Sequence, residues 1–208
     1  ALNRWEDDSR VVAVLITGAG DRAFSAGGDI QALYRAMVKN HEAGTVVDDY
    51  PFRFFEHEYR LDYRLHTYPK TVVCVGHGII MGGGLGIFSA SRYRVVTEKS
   101  RIALPEVTIG LFPDAGGTWL LRNLPERVAV FIGLTGSSLN GADALALSLG
   151  THSVPLAEHD TVRARLLEID WRGDADIDDR AVAAVLDALP VADMPEPQIA
   201  QLPESLSA

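Results

Sequence analysis

Two apolar runs, each followed by a cluster of glycines, constrain the fold of this chain more than any other feature. The runs are VVAVLIT at residues 11–17 and TVVCVGHGII at residues 71–80, and neither alternates with polar residues. Such runs are typical of strands buried on both faces of a sheet. The clusters GAGDRAFSAGGD (18–29) and MGGGLG (81–86) follow them, and helical patterns come next. Strands that alternate with helices predict an α/β fold with a parallel sheet and helices on its faces.

Two helices are predicted between the apolar runs. The first begins near Asp29 and places apolar residues at helical spacing, namely Ile30, Leu33, Tyr34 and Met37. The second is rich in aromatic residues, begins at about Pro51 and ends before Pro69. The elements predicted after the second glycine cluster are a strand and turn over 93–104, a helix over 126–135 ended by Gly136, a helix over 140–149 ended by Gly150, and a short strand over 151–155.

The character of the chain changes after Pro155. Two polar amphipathic helices are predicted, over 156–170 and 178–189, and the proline-rich residues 190–208 are predicted to form an extended linker. We therefore expect a core domain over 1–155 and a helical extension with a linker over 156–208. The chain opens without Met on a helix-like segment and stops in the linker, so we expect that segments at both ends are missing.

Charge and composition argue against several classes of partner. The 208 residues carry a net charge of −9 without a block of Lys or Arg, which disfavours nucleic acid and anionic membrane surfaces. No apolar stretch approaches the roughly 20 residues of a membrane span. Cys74 is the single cysteine and sits in a buried run, so the sequence predicts neither a disulfide nor a metal site, and a cytoplasmic location is expected.

The glycine clusters have two possible uses. Gly18, Gly20 and Ala23 fit the dinucleotide pattern G-x-G-x-x-G/A, but a further loop separates them from the helix that should receive a pyrophosphate. Two strands that end in loops without side chains could instead aim two backbone N–H groups at one oxygen, which is an oxyanion hole. For GGG at residues 82–84 alone, tight helix–strand packing is an equal alternative.

Two carboxylates follow the third predicted strand. Glu106 and Asp114 lie eight residues apart on a loop rich in Pro and Gly, LPEVTIGLFPDAGGTWLL. Loops at strand ends commonly carry catalytic groups. Two acids beside an oxyanion hole suit acid–base or nucleophilic catalysis at a carbonyl group. Taken alone, either acid is more simply a solvated loop residue or a helix cap.

Four stretches, in this order, resemble the crotonase superfamily, the enoyl-CoA hydratase/isomerase family: RAFSAGGDI, PKTVVCVGHGIIMGGGLGI, RIALPEVTIGLFPDAGGTWLL and LTGSSLNGADALALSLG. The resemblance covers residues 5–155. It implies a spiral core of repeated strand–strand–helix units with a helical C-terminal extension. It also implies an acyl-CoA substrate, whose thioester oxygen is held by the N–H groups of Ala26 and Gly83, with Gly27 and Gly28 beside the substrate.

One departure separates the chain from the hydratases of the family. Hydratases carry a catalytic Glu three residues after the oxyanion glycine, and that position is Gly86 here. The combination of Gly86, Glu106 and Asp114 is similar to the subgroup of 3-hydroxyisobutyryl-CoA hydrolases, which act in valine breakdown. That resemblance implies thioester hydrolysis with Glu106 as nucleophile or general base and Asp114 assisting proton transfer. Glu58 is similar to a substrate-binding Glu of that subgroup and is expected to accept a hydrogen bond from the substrate hydroxyl.

Alternatives to a hydrolase remain open from the sequence. A hydratase or isomerase of the same superfamily is one, and a non-catalytic acyl-CoA binder is another. The resemblance implies no cofactor apart from the coenzyme A of the substrate, and no metal. A homo-oligomer is possible.

Overall fold

The computed structural model describes residues 1–201, and two four-stranded sheets organise it. The first sheet has the order β1-β3-β5-β8 and is parallel throughout. Its strands are β1 (Ala13–Thr17), β3 (Thr71–Gly76), β5 (Tyr93–Val96) and β8 (His152–Ser153). The second sheet has the order β2-β4-β6-β7, and its last pair is antiparallel. Its strands are β2 (Ala23–Ser25), β4 (Ile79–Met81), β6 (Arg101–Ala103) and β7 (Leu139–Asn140).

The first six strands alternate between the two sheets, and helices follow each of the pairs β1–β2, β3–β4 and β5–β6. The helices are α1 (Leu2–Glu6), α2 (Ile30–Ala43), α3 (Tyr50–His66), α4 (Gly83–Ala90), α5 (Gly117–Leu121), α6 (Glu126–Thr135), α7 (Gly141–Ala146), α8 (His159–Leu167) and α9 (Ala175–Asp187). The expected spiral of strand–strand–helix units with a helical C-terminal extension is therefore confirmed.

The expectation of one sheet is wrong in one respect, because each long apolar segment divides between two sheets. Residues 71–80 form β3 and β4 with a break at Gly78, whose φ is +58°. A side chain at Gly78 would collide with the carbonyl of Arg22, so glycine is required for the chain to change direction there. Residues 93–104 divide in the same way into β5 and β6. The three-residue strand β2, which lies inside the first glycine cluster, was not predicted.

Helix α2 begins where the sequence predicted, but its apolar face is largely exposed. The carboxylate of Asp29 caps its N-terminus by accepting a hydrogen bond from the backbone N–H of Ala32 at 3.0 Å. Of the four apolar positions named from the spacing, Leu33 is buried, whereas Ile30, Tyr34 and Met37 are exposed. Helix α7 also ends earlier than predicted, at Ala146 rather than next to Gly150.

The C-terminal helices share a core with the first sheet. Apolar residues of α8 and α9, among them Val162, Leu166 and Val182, pack with Val73 and Val95 of the strands. Buried apolar contacts therefore attach the predicted extension to the core. Burial of each such side chain stabilises the folded state by roughly 1.5–3 kcal/mol. The domain boundary at residue 155 stays a prediction. Across residues 1–201, none of the helices is both long and apolar enough to cross a membrane.

The prediction of an extended linker is wrong for residues 190–201, here called the C-terminal segment. This segment lies against the core, where Met194 and Ile199 pack on the main apolar cluster. Asp143 is fully buried, and its two carboxylate oxygens accept hydrogen bonds from the backbone N–H groups of Asn140 and Ile199, each at 2.9 Å. The segment is held because it satisfies a buried carboxylate. Residues 202–208 of the predicted linker lie outside the described residues.

Candidate active site

The two glycine loops meet at one point of the structure. Gly27 has a φ of +93°, and a Cβ placed on it would lie 3.2 Å from both the nitrogen of Gly83 and the carbonyl oxygen of Met81. Such spacing is tighter than a side chain normally tolerates, so glycine permits the close approach of the two backbones. The loop after β2 and the first turn of α4 are therefore adjacent.

Backbone donors are available on both sides of this junction. Gly83 is the first residue of α4, where the helix geometry leaves N–H groups without an intrahelical acceptor. The N–H of Gly27 donates to the hydroxyl of Ser25 at 3.2 Å. The N–H of Ala26 is therefore the better candidate of the two neighbours for a ligand oxygen. The oxyanion role of Ala26 and Gly83 stays a prediction.

Glu106 lies beside the second glycine loop. It sits on a 3₁₀ turn, Pro105–Ile109, directly after β6, and is 6% exposed. Its Oε1 lies 3.7 Å from the point where a Cβ on Gly82 would be. Within the described residues neither carboxylate oxygen has a hydrogen-bond partner. Burial raises the pKa of Glu106; the backbone N–H of Glu106 itself opposes this to a smaller extent, and the charge of Asp114 adds to the rise. A buried carboxylate without partners is not acting as a helix cap.

Asp114 is tied to helix α3 by a tyrosine. The hydroxyl of Tyr59 donates to Oδ2 of Asp114 at 2.7 Å. Burial, together with this hydrogen bond, raises the pKa of Tyr59 above its ordinary value. The N-cap of α5 is Gly116 rather than Asp114, so the capping alternative is not observed. Tyr59 was not among the site residues predicted from the sequence. The one feature of the sequence that could have indicated it is its position next to Glu58.

Two carboxyl groups of α3 occupy the space above two glycines of α4. The carboxyl of Glu58 takes the position that a side chain on Gly83 would fill. One turn later, Oδ2 of Asp62 lies 2.6 Å from the point where a Cβ on Gly86 would be. Burial raises the pKa of Glu58 to about 7, and the charges of Asp114 and Glu106 contribute. The expected proximity of Glu58 to the two loop acids is thus present.

Asp62 is the second residue that sequence analysis missed. It is 9% exposed, and in the part of the chain that the structure describes neither of its carboxylate oxygens has a hydrogen-bond partner. Burial raises its pKa to about 7, with further contributions from the charges of Glu58 and Asp114. The available signal was its spacing of four residues from Glu58, which places both on one helix face.

Gly28 has a packing role in the structure. The ring of Phe54 fills the space that a side chain at Gly28 would need, so this glycine lets α3 approach the first loop. The predicted contact of Gly27 and Gly28 with substrate stays a prediction.

An open cleft reaches the carboxyl cluster from the side of α3 and α5. Its volume is about 1350 Å³, and its lining includes Tyr59, Asp62, Gly86, Asp114 and Trp119. Glu58, Glu106 and the first glycine loop are not part of this lining. Among residues 1–201, no group of three His, Cys, Asp or Glu side chains is arranged to hold a metal ion. The arrangement offers backbone donors for an oxygen and carboxyl groups for proton transfer.

Comparison with known proteins supports the expected family. The model of the enoyl-CoA hydratase/isomerase family matches residues 1–207. The chain is 39% identical over 168 residues to 3-hydroxyisobutyryl-CoA hydrolase, mitochondrial, of Danio rerio, covering 81% of this chain and 42% of the relative. It is 40% identical over 167 residues to 3-hydroxyisobutyryl-CoA hydrolase 1 of Arabidopsis thaliana, covering 80% and 42%. The chain thus spans about two fifths of the length of these curated relatives.

Solved structures share the fold. A carnitinyl-CoA dehydratase from Mycobacterium thermoresistibile matches with a TM-score of 0.78 and 37% identity over 96% of this chain and 53% of the other. An enoyl-CoA hydratase from Rhodobacter sphaeroides matches with a TM-score of 0.77 and 34% identity over 99% and 54%.

Proposed function

The chain belongs to the enoyl-CoA hydratase/isomerase family, and we propose that within this family it hydrolyses an acyl-CoA thioester, with 3-hydroxyisobutyryl-CoA as substrate. One observation carries the proposal: Glu58, Glu106 and Asp114 converge beside the junction of the two glycine loops. The names of the relatives at 39–40% identity support the choice of substrate.

The backbone donors would act first. The N–H groups of Ala26 and Gly83 polarise the thioester carbonyl and stabilise the negative oxygen of the tetrahedral intermediate. Each donor of this kind contributes roughly 3 kcal/mol to the transition state. Because both donors belong to the backbone, they need no reorganisation when the charge develops.

Glu106 would then supply the attack on the carbonyl carbon. Its raised pKa, caused first by burial, suits a group that takes up and returns a proton. As a general base it removes a proton from water, whose oxygen bonds to the acyl carbon, and the proton passes to the sulfur as the carbon–sulfur bond breaks. As a nucleophile its carboxylate oxygen bonds to the acyl carbon, the carbon–sulfur bond breaks and CoA leaves as a thiolate that takes up a proton; water then hydrolyses the acyl anhydride to the free acid and restores Glu106.

Asp114 and Glu58 would orient the reactants. The hydrogen bond from Tyr59 fixes the direction of the Asp114 carboxylate, which leaves its other oxygen to hold water or the substrate hydroxyl. Glu58 accepts the hydrogen bond of the 3-hydroxyl group.

A hydratase is the second candidate, and a specific observation favours it. The carboxyl of Asp62 lies over Gly86, the position at which hydratases of the family carry an acid. The Rhodobacter sphaeroides structure with 34% identity is named an enoyl-CoA hydratase. One observation argues against the hydratase. The carboxyl of Asp62 belongs to α3 and lies close to the backbone of α4, whereas the carboxyl of a Glu at position 86 would lie a side chain's length away from that backbone.

Release of free CoA from 3-hydroxyisobutyryl-CoA by the purified protein tests the proposal, with hydration of crotonyl-CoA measured in parallel. We expect CoA release that falls at least about a hundredfold in Glu106→Gln and in Asp114→Asn. Glu168→Gln, on an exposed residue paired with Arg165, is the matched control and should keep wild-type activity. Hydration without CoA release would replace the hydrolase by the hydratase, and binding without either reaction would indicate a non-catalytic acyl-CoA binder.

Location and assembly stay predictions. The expected cytoplasmic location contrasts with the word mitochondrial in the name of the Danio rerio relative. Sedimentation of the purified protein would test the possible homo-oligomer, and acyl-CoA remains the expected small-molecule partner.

A further inference from the structure

Asp62 is a buried acid to which the proposed reaction gives no role. Its two oxygens are shielded from solvent and have no hydrogen-bond partner among the described residues. A buried polar group without partners is costly, so its presence needs a reason. The residue also lines the open cleft together with Asp114 and Gly86. A cluster of acids is common on protein surfaces, but an unpartnered carboxyl that is 9% exposed and faces a cleft is not.

The position of Asp62 is fixed by two helices. On α3 it follows Glu58 by one turn. The glycines of α4 against which these two carboxyls pack, Gly83 and Gly86, are also one turn apart. Each glycine leaves room for one carboxyl, so the two acids lie side by side along the contact between the helices. Any side chain at Gly86 would displace the carboxyl of Asp62.

The charged groups that face Asp62 are acids. Helix α3 contributes Glu58 and the phenol of Tyr59, and the loop before α5 contributes Asp114. Helix α4 has the sequence GGLGIFSA and contributes no titratable group. Of the cations of α3, Arg60 pairs with Glu56, Arg64 pairs with Glu6 while its Nε has no partner among the described residues, and His66 is exposed beside Trp119. The other cations that line the cleft bind elsewhere: Arg92 pairs with Asp179, and Lys70 and Arg94 donate to backbone carbonyls.

We propose that Asp62 is a positioning residue and that Asp62 and Glu58, which are not hydrogen-bonded to each other, carry one proton between them, so that one of them donates a hydrogen bond to a hydroxyl group on the acyl chain while the other accepts one from it. This inference rests on the proposed thioesterase function and names the feature of the substrate that the site selects. A hydroxyl group is at once a donor and an acceptor. A carboxyl pair with one proton has the complementary pattern, whereas two carboxylates can accept only.

The raised pKa of each acid agrees with this arrangement. Both pKa values lie at about 7, in each case because of burial first and neighbouring carboxylates second. Two neighbouring buried carboxyl groups such as Glu58 and Asp62 do not both ionise readily at neutral pH. Loss of the shared proton at higher pH should weaken the hold on the hydroxyl group.

The decisive experiment measures kcat/KM against pH for Asp62→Asn, with 3-hydroxyisobutyryl-CoA and isobutyryl-CoA as substrates. The asparagine side chain carries neither the proton nor the charge, so the pKa of Glu58 should fall. We expect the rise in the KM of the hydroxylated substrate between pH 6 and pH 8 to disappear, because the amide N–H groups of the asparagine donate at every pH while the ionised Glu58 accepts. The profile for isobutyryl-CoA should not change, because it has no hydroxyl group to bind. Glu56→Gln removes one charge from the outer part of the same helix and is the matched control.

Each result of this experiment either supports or overturns the role proposed for Asp62. If the wild type is active and Asp62→Asn superimposes on Glu56→Gln, or if both substrates lose activity equally, the inference is wrong. If Asp62→Asn does not fold, Gly86→Ala displaces the same carboxyl in a helix that otherwise favours alanine, and the KM of the hydroxylated substrate alone should then rise about tenfold at pH 6. A wild type that releases CoA from neither substrate would overturn the proposed function instead. In that case carbon-13 titration of the carboxyl groups still tests whether Asp62→Asn lowers the midpoint of Glu58, and no change would overturn the shared proton.

Discussion

Replacing Asp62 with asparagine should stabilise the protein at neutral pH, although the residue is buried. Its carboxyl group is 9% exposed, lacks hydrogen-bond partners among the described residues, and faces Glu58 and Asp114. Ionisation of Asp62 is therefore opposed in the folded state and unopposed in the unfolded chain. The asparagine side chain has nearly the same shape and carries no charge, so it removes this penalty without opening a cavity.

The size of the effect follows from the pKa of Asp62. Folding raises it from 3.8 to about 7, a difference of about three units and hence about 4 kcal/mol at full ionisation. An unpartnered amide in the same place costs roughly 1–3 kcal/mol, which reduces the net gain to about 2 kcal/mol. Below about pH 3 both states of the wild type hold the proton, so the ionisation penalty vanishes and only the cost of the amide separates the two proteins. As the pH rises towards 7 the unfolded chain releases the proton first, so wild-type stability falls and the advantage of the asparagine variant grows.

Urea unfolding of the wild type and Asp62→Asn at pH 4.5 and pH 8 measures this difference. The matched control is Glu56→Gln, because Glu56 is paired with Arg60 on the same helix and its loss should cost less than about 1 kcal/mol at either pH. The prediction would be refuted if Asp62→Asn were less stable than the wild type at pH 8, or if its effect were the same at both pH values. Either result would mean that folding does not oppose the ionisation of Asp62.

Three further predictions concern the site and its support. Tyr59→Phe removes the donor that fixes Asp114 and should lower kcat about tenfold with little change in KM, as steady-state kinetics would show; an unchanged kcat would mean that Asp114 is oriented by other groups. Gly27→Ala places a Cβ 3.2 Å from the nitrogen of Gly83 at a φ of +93°, so CoA release should fall at least about a hundredfold while circular dichroism stays native, and a fully active variant would argue against the oxyanion site. Asp143→Ala should cost about 2–3 kcal/mol and make the C-terminal segment sensitive to limited proteolysis, whereas equal protease resistance would show that apolar packing alone holds that segment.

The sequence determined the order of elements well, because local signals carry that information. Runs of β-branched residues predicted β1, β3 and β5, and Asp29 and Gly136 marked helix ends that the structure contains. Glu106 and Asp114 were found as candidates because both stand on a loop after a strand, where a side chain is free to face a ligand. These features depend on residues close together in the chain.

Burial on a helix face was less predictable. The spacing of Ile30, Leu33, Tyr34 and Met37 indicated an apolar face for α2, but the face is largely exposed. Periodicity shows which residues share a face and does not show what covers that face. The prediction of an extended linker for the C-terminal segment was wrong for a related reason. The composition of the segment resembles a linker, and Asp143, which holds it, lies about 50 residues earlier in the chain.

Tertiary structure alone decided how the site is assembled. The division of residues 71–80 between two sheets depends on a close approach to Arg22, which no local pattern reveals. Tyr59 meets Asp114 across 55 residues of sequence, and Asp62 meets Gly86 across a helix contact. The chain itself specifies residue types and their local spacing. The burial that raises a carboxyl pKa, and the distance between two groups from different elements, exist only once those elements have packed, because both depend on atoms that the sequence places far apart.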